Sequence, residues 1–393
     1  CQREIMTKHY SSKDRTRIDV AIVGGGIAGT WLLRLLSQQG YNAILLERNE
    51  LGCGQTLASQ GMIHGGLKYA LTGLLSNESE AIAEMPFRWR NCLHSKEGEI
   101  DLRGTKILSN NYYMYSESKI GKLASFFASK ALRGRIEKVA HDDKPEVFNQ
   151  FKGLLYKLND LVLNTESLLR ELLSGLEDRV FKLECSDKTV KKIDRGYQLN
   201  LSDTKIETDT LINCSGNGTQ SLLETLNISE FNIQNRPLKQ IIVDAPQDLN
   251  MFAHCLTNLS STEPRMTITT HQKKDRKIWY IGGQLATEGA HLSDDVLIQK
   301  AKAELKQCVS WLKPKEESMK ILAIDRVEPH TKNQRKPDEA FAERAQDFIQ
   351  CFPTKLTLTP NLGDKIMLLL DRPKHKGSVN STHTRASVGV PPW

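Results

Sequence analysis

Gly24, Gly26 and Gly29 are spaced as G-x-G-x-x-G, and a carboxylate, Glu47, follows 18 residues after the third glycine. The first glycine permits a tight turn, the second lets backbone approach a pyrophosphate, and the third lets a helix pack closely on a strand. A helix starting at such a turn offers unpaired N–H groups and partial positive charge to that pyrophosphate. Glu47 can then accept hydrogen bonds from ribose hydroxyls. The chemistry predicted is retention of an adenine dinucleotide, and the fingerprint suits NAD and FAD equally.

Three elements must place these groups. Ile18, Val20, Ala21, Ile22 and Val23 form a short β-rich run that ends at the glycines. Ile27, Trp31, Leu32, Leu35 and Leu36 recur at helical spacing over residues 27–39, with Gly40 as a stop. Residues 43–46 read as a second buried strand, closing at Glu47. The order is strand, glycine turn, helix, strand, with an acid at the end.

Residues 51–69, LGCGQTLASQGMIHGGLKY, are rich in Gly, Ser, Thr and Gln and poor in helix formers until Leu67. A loop at this place can run across the carboxyl ends of parallel strands, where the cofactor lies. Here the chain resembles the flavoprotein superfamily of D-amino-acid oxidase, glycine oxidase and glycerol-3-phosphate dehydrogenase. The string Ile63-His64-Gly65-Gly66-Leu67-Lys68-Tyr69 is most similar to a segment of glycerol-3-phosphate dehydrogenases. It also resembles the histidine-containing segment of L-2-hydroxyglutarate dehydrogenases. Blocks at 162–169, 211–218, 236–238, 279–283, 326–329 and 355–360 occur in the superfamily's order, so the resemblance covers roughly residues 17–371.

That resemblance implies FAD as the cofactor. It implies contacts from Gly24, Gly25, Gly26, Ile27, Ala28, Gly29, Glu47 and Arg48 around the first turn. Thr56, Ser59, Gln60, Gly61, Met62 and His64 would follow along the flavin, and the Val190 backbone would meet the adenine. Ser215-Gly216 and Lys355-Leu356 would return beside the cofactor. His64 would lie near the reactive face, where a neutral imidazole accepts a proton from an alcohol. Arg326 would face the substrate, its guanidinium holding a carboxylate in bidentate fashion. Lys68 and Tyr69 are candidate pocket borders, and Tyr113, Tyr115 and Tyr280 candidate walls of a cap. Cys53 and Cys214 fall in cofactor-side turns, where a small buried hydrophobe explains each better than redox chemistry.

The implied activity is that of a dehydrogenase or oxidase, with a hydride leaving a small hydroxy acid, polyol or amine for the flavin N5. Glycerol-3-phosphate dehydrogenase itself and a non-catalytic flavin-binding or sensor protein are the alternatives. One departure bears on the choice. Glycerol-3-phosphate dehydrogenases often carry a basic residue three places before the histidine, and this chain has Gly61 there, which weakens the case for a phosphorylated substrate. The electron acceptor, oxygen or quinone, has no local motif.

The implied layout is discontinuous. A Rossmann-like, α/β FAD-binding domain would use residues 17–77, 151–226 and 319–371, and an α+β cap with an antiparallel sheet would use 78–150 and 227–318. The residues support a cap independently, with a helix over 77–94 and strands at 111–115, 240–243 and 278–281. After Asp371 no acid occurs, and the basic stretch 372–393, holding Pro, Gly, Ser and Thr, is expected to be disordered.

Composition sets the outer bounds. At 393 residues the chain exceeds one ordinary core. A content of 39% hydrophobic and 26% charged residues excludes collagen-like, disordered and disulfide-scaffold classes. No apolar run is long enough for a bilayer, and no secretory pattern opens the sequence, so the cytoplasm is the expected location. Met6 is a candidate natural start. The net charge of +7 gathers at 188–195, 273–277, 332–336 and in the last residues. These runs read as solvated surface, with peripheral membrane contact at most and no nucleic acid. Eight cysteines without CxxC spacing predict neither zinc nor structural disulfides.

Overall fold

The computed structural model describes residues 16–66, 77–116, 136–246, 249–256, 264–330 and 339–393. Leu67, Lys68, Tyr69 and the basic run 332–336 lie outside the described residues.

Strand β1, Thr16–Val23, sits at the centre of an eight-stranded sheet. Val20 and Ile22 face a layer holding Trp31, Leu32 and Leu36, while Ala21 and Val23 pack with Ile44, Leu46 and Phe181 on the other side. Burial on both faces is why the strand reads as a near-continuous apolar run. Helix α1, Ile27–Gln38, ends at Gly40, whose φ of +81° turns the chain back into strand β2, Ala43–Glu47. β1 runs parallel to β2 on one side and to Lys205–Asn213 on the other, with Val23 level with both Leu46 and Asn213. Val180–Lys182 extends the parallel array beyond β2, and Phe348–Phe352 extends it beyond Lys205–Asn213. The carboxyl ends of these strands therefore share one edge.

A second eight-stranded sheet begins with Lys315–Ile324, Leu238–Asp244, Arg276–Gly282 and Met266–Lys273. It continues through Ala253–Cys255, Tyr112–Ser116, Leu154–Leu158 and Ile136–Lys138. It is antiparallel except where Ala253–Cys255 meets Tyr112–Ser116. Ile241, Val243, Trp279 and Ile281 pack on Leu297, Ala301 and Leu305 of the helix Asp294–Cys308. Ile242, Ile278 and Tyr280 form a cluster on the opposite face. Among the three tyrosines expected as walls, Tyr115 is buried in the helix-side core, its hydroxyl donating to Cys308 O, and Tyr113 packs beside Phe148. Tyr280 reaches the loop that follows β2, donating from Oη to Ala58 O at 2.8 Å.

The strands Leu154–Leu158 and Lys315–Ile324 both belong to the second sheet. The chain thus crosses between sheets after 158 and after 324, rather than at 151 and 319. The connecting loop after β2 leads to strand β3, Met62–Ile63, which pairs with Leu161–Leu163.

The expectation of disorder for 372–393 is overturned. Composition missed it because the partners are acids far away in sequence. Asp19 Oδ1 accepts from the N–H groups of Lys374 and His375 at 2.7 and 3.0 Å, and His375 Nε2 lies 2.9 Å from Asp209 Oδ2. Asp203 accepts from Ser381 and Thr382. Lys182 N–H donates to Thr384 O at 2.8 Å, and the Arg385 guanidinium lies 3.9 Å from the centre of the Phe181 ring. Among the described residues, no helix is long and apolar enough to cross a membrane.

Candidate functional site

At the carboxyl edge of the parallel strands, the turn Gly24-Gly25-Gly26 leaves β1 and enters α1. Gly24 holds φ +107°, and a Cβ there would sit 2.5 Å from Cys214 O. A Cβ on Gly25 would meet Leu51 Cδ2 at 2.2 Å, and one on Gly29 would meet Gly24 O at 2.0 Å. The third glycine thus secures helix-on-strand packing rather than contact with a ligand. Gly25 N–H donates to Glu47 Oε2 at 2.7 Å, and Asn49 N–H donates to Glu47 Oε1 at 2.8 Å. Thr56 Oγ1 accepts from Ile27 N–H at 2.9 Å, bracing the first turn of α1 from the following loop.

These groups open on a cleft of about 350 Å³ that reaches from the strand tips to the second sheet. Gly24, Gly25, Gly26, Ile27, Ala28, Glu47 and Arg48 line its first part. Thr56, Ser59, Gln60, Ser215, Gly216, Lys355, Leu356 and Arg326 line the rest. Five expected residues lie outside this lining: Gly29, Gly61, Met62, His64 and Val190.

Each of these has a physical explanation. Val190 is 1% exposed and packs with Tyr197 and Leu199 in the core. From the same stretch, Leu183 reaches Glu47 instead, its N–H donating to Glu47 O at 2.8 Å. Burial, with the nearby Glu47 charge, pushes the Cys185 thiol up to about 12. Gly61 has φ +68°, and a Cβ would lie 2.1 Å from Leu163 O. A basic side chain therefore has no place at 61 without displacing the paired strand. Met62 packs towards Tyr112 and Met114.

His64 follows β3, and its N–H donates to Thr357 Oγ1 at 3.0 Å. Its Nδ1 accepts from Gly66 N–H at 3.3 Å. A neutral ring in this arrangement carries its proton on Nε2, so the lone pair that would take up a proton is already engaged.

The second sheet supplies the facing wall through Leu238, Gln240 and Ile324. Gln60 ties the two banks together, its Nε2 donating to Thr267 O and Tyr280 O, each at 3.0 Å. Arg326 Nε donates to Arg236 O at 3.2 Å, which fixes the stem of the guanidinium at the cleft. Gln240 Oε1 is buried and has no hydrogen-bond partner among the described residues. Sequence reasoning passed over Gln240; the available signal was one amide inside the apolar strand LKQIIVD. Cys214 and Cys351 also line the cleft, with Sγ atoms 3.3 Å apart. Each thiol has the other as its neighbour, and that contact with burial pushes the Cys214 pKa up, away from reactive thiolate.

The arrangement fits a dinucleotide. Bare backbone at 24–26 faces the space a pyrophosphate needs, a helix begins there, and a carboxylate closes the next strand. Residues 19–331 match the family described as FAD dependent oxidoreductase. A probable FAD-dependent oxidoreductase, PA4991, of Pseudomonas aeruginosa is 36% identical over 387 residues, 95% of this chain and 97% of that protein. Its crystal structure superposes with a TM-score of 0.80 at 30% identity, covering 96% of this chain and 98% of that one. The aerobic glycerol-3-phosphate dehydrogenase of Escherichia coli is 30% identical over 146 residues, 34% of this chain and 27% of that protein. An FAD-bound L-alpha-glycerophosphate oxidase from Mycoplasma pneumoniae shares the fold, with a TM-score of 0.62 at 14% identity over 96% of this chain and 99% of that one. The glycine cradle, the carboxylate at the tip of β2 and the match across most of the chain agree on one conclusion: this protein belongs to the FAD dependent oxidoreductase family.

Proposed function

We propose that this FAD-dependent oxidoreductase oxidises a small α-amino or α-hydroxy acid whose carboxylate is held by Arg326. The observation that carries this reading is the pair on the cleft wall: a guanidinium at 326 and, at 240, an amide with a buried oxygen lacking a partner among the described residues. Unpaired buried acceptors are uncommon in folded proteins and ask for a reason. A substrate amine or hydroxyl beside its carboxylate supplies the missing donor after a modest turn of the amide, while Arg326 takes the acid.

Bound FAD supplies the two-electron acceptor and the cleft residues supply orientation. Gln60 and Tyr280 hold the loop that carries Ser59 and Gln60 against the second sheet, keeping the wall at a fixed distance from the glycine turn. An alcohol substrate requires a proton acceptor, and His64 is the candidate, with Nδ1 released from Gly66 N–H. The neutral form of an amine requires none, its ammonium proton having passed to solvent beforehand. The engaged lone pair of His64 therefore favours the amine over the alcohol. Oxygen or a quinone is the proposed final acceptor, and the cytoplasm the proposed compartment.

A second reading, glycerol-3-phosphate oxidation, has support from the glycerol-3-phosphate dehydrogenases matched over part of their length. The closed space at Gly61 weighs against it, since a phosphate anchor has no room there.

The test is anaerobic mixing of the purified flavoprotein with amino acids, hydroxy acids, polyols and glycerol 3-phosphate, followed by loss of flavin colour. Bleaching by a carboxylate substrate, with KM raised on Arg326→Lys, is the expected outcome. Bleaching by glycerol 3-phosphate or a neutral polyol alone contradicts the reading.

A further inference from the structure

The family match stops at 331, more than sixty residues before the chain ends. Beyond that match, a C-terminal segment packs against loops that line the cleft. Leu51 N–H donates to Ser387 O at 2.8 Å and Gly389 N–H donates to Leu51 O at 3.0 Å, so residues 387–389 run beside the loop that follows β2. Ala386 and Val388 pack against the core beneath. A Cβ on Gly389 would sit 3.0 Å from Cys53 Sγ and 3.2 Å from Glu50 Oε2, and both residues line the cofactor cleft.

Four residues later the chain is on the opposite bank. The Trp393 ring lies 4.4 Å from His271 and 5.1 Å from Tyr280 between centres. It packs with Ile242, Ile278 and Tyr280, in a cluster that also takes in Ile324 of the cleft wall. Four residues reach about 14 Å when fully extended. With both ends held, the two banks of the cleft cannot separate further than that short span allows.

We propose that residues 385–393 are a strap behind the FAD site, tying the loop of Glu50 and Cys53 to the second sheet with Trp393 as the fastening, and that it sets the rate at which FAD leaves. The inference rests on FAD occupying this cleft. The upstream anchors at Asp19, Asp203 and Phe181 fix the strap to the first sheet independently of Trp393. Losing the tryptophan therefore frees one end without unravelling the other. The half-buried Trp393 ring against a histidine and a tyrosine is a larger contact than Val390 offers, which is 74% exposed.

The test uses the full chain loaded with FAD. Release is followed by the rise of free-flavin fluorescence after dilution, for the parent, Trp393→Ala, Trp393→Phe and a chain ended after Gly389. Lys376→Ala, an exposed position on the same segment, serves as control. Trp393→Ala and the shortened chain are expected to release FAD roughly tenfold faster or more, with Trp393→Phe and Lys376→Ala near the parent. Equal release from parent, Trp393→Ala and shortened chain overturns the strap, and so does equal acceleration by Lys376→Ala. Should Trp393→Ala fail to fold, the ring-retaining Trp393→Phe decides by its ranking with the shortened chain. A parent that binds no FAD sinks the cofactor reading instead, so the two failures are distinct.

Discussion

The Glu47 carboxylate accepts a hydrogen bond from Gly25 N–H at 2.7 Å, across the tips of β1 and β2. One oxygen thus braces the glycine turn while the side chain remains on the cleft lining. The residue has two tasks, shaping the cradle and meeting the ribose. Glu47→Gln keeps the size, discards the charge and leaves one acceptor oxygen for the N–H groups of Gly25 and Asn49. Hydrogen bonds to a charged group contribute about 1.5–3 kcal/mol, so the FAD Kd should rise roughly ten- to hundredfold. Fluorescence titration measures it, and an unchanged Kd removes the ribose role.

The cradle also predicts which glycine tolerates change least. At Gly24 a side chain meets the backbone of Cys214 and the φ is in the left-handed region, so neither partner can give way. Gly24→Ala should purify colourless, whereas Gly40→Ala, with open space around its Cβ, should stay yellow and lose about 1 kcal/mol of stability through its φ of +81°. Equal flavin content in the two variants contradicts this.

How much of this could be read from residues alone differs along the chain. The strand–turn–helix–strand unit was legible because each element is short, local and periodic. Arg326 and the turns at 215 and 355 were found through order in the sequence, and they line the cleft. Val190 illustrates the limit: two short strands follow one another in 180–192, and Val180–Lys182 pairs with β2 while Val190–Lys192 lies at the far edge of the sheet. The stretch after Asp371 was misread because its counter-charges, Asp19, Asp203 and Asp209, lie more than 160 positions earlier. Gln240 gave only one polar letter in an apolar strand.

Tyr280 links the banks through its hydroxyl on Ala58 O, inside the core. Tyr280→Phe removes that bond and leaves a buried carbonyl short of a donor. A loss of about 1–2 kcal/mol is expected in denaturant unfolding. No loss shows that the contact is not retained in solution.

His271 is buried, and burial lowers its pKa to about 3. A base depressed in the folded state but ordinary when unfolded stabilises the fold fully above the unfolded value, and that contribution falls as pH drops through it. Stability should therefore decline from about pH 6.5 toward pH 3, at up to about 1.4 kcal/mol per pH unit for the one proton. His271→Asn should flatten that limb. An acid limb identical in parent and variant contradicts the burial of a neutral ring.

His64 separates the two substrate classes. For an alcohol, loss of the base in His64→Ala should cut the rate of flavin reduction about 10²–10⁴-fold. For an amine the same variant should change it little. Stopped-flow reduction with the best substrate from each class measures this, and an amine reaction that collapses in the variant contradicts the preference argued from Gly66.

One FAD in the cleft between the strand tips and the second sheet underlies the effects expected at Glu47, Gly24 and His64. Stripping the flavin and titrating FAD back, with protein fluorescence as the readout, tests it most directly. Saturation at one FAD per chain is expected in the parent, with no saturable binding in Gly24→Ala. Undiminished binding in Gly24→Ala, or none in the parent, would contradict it.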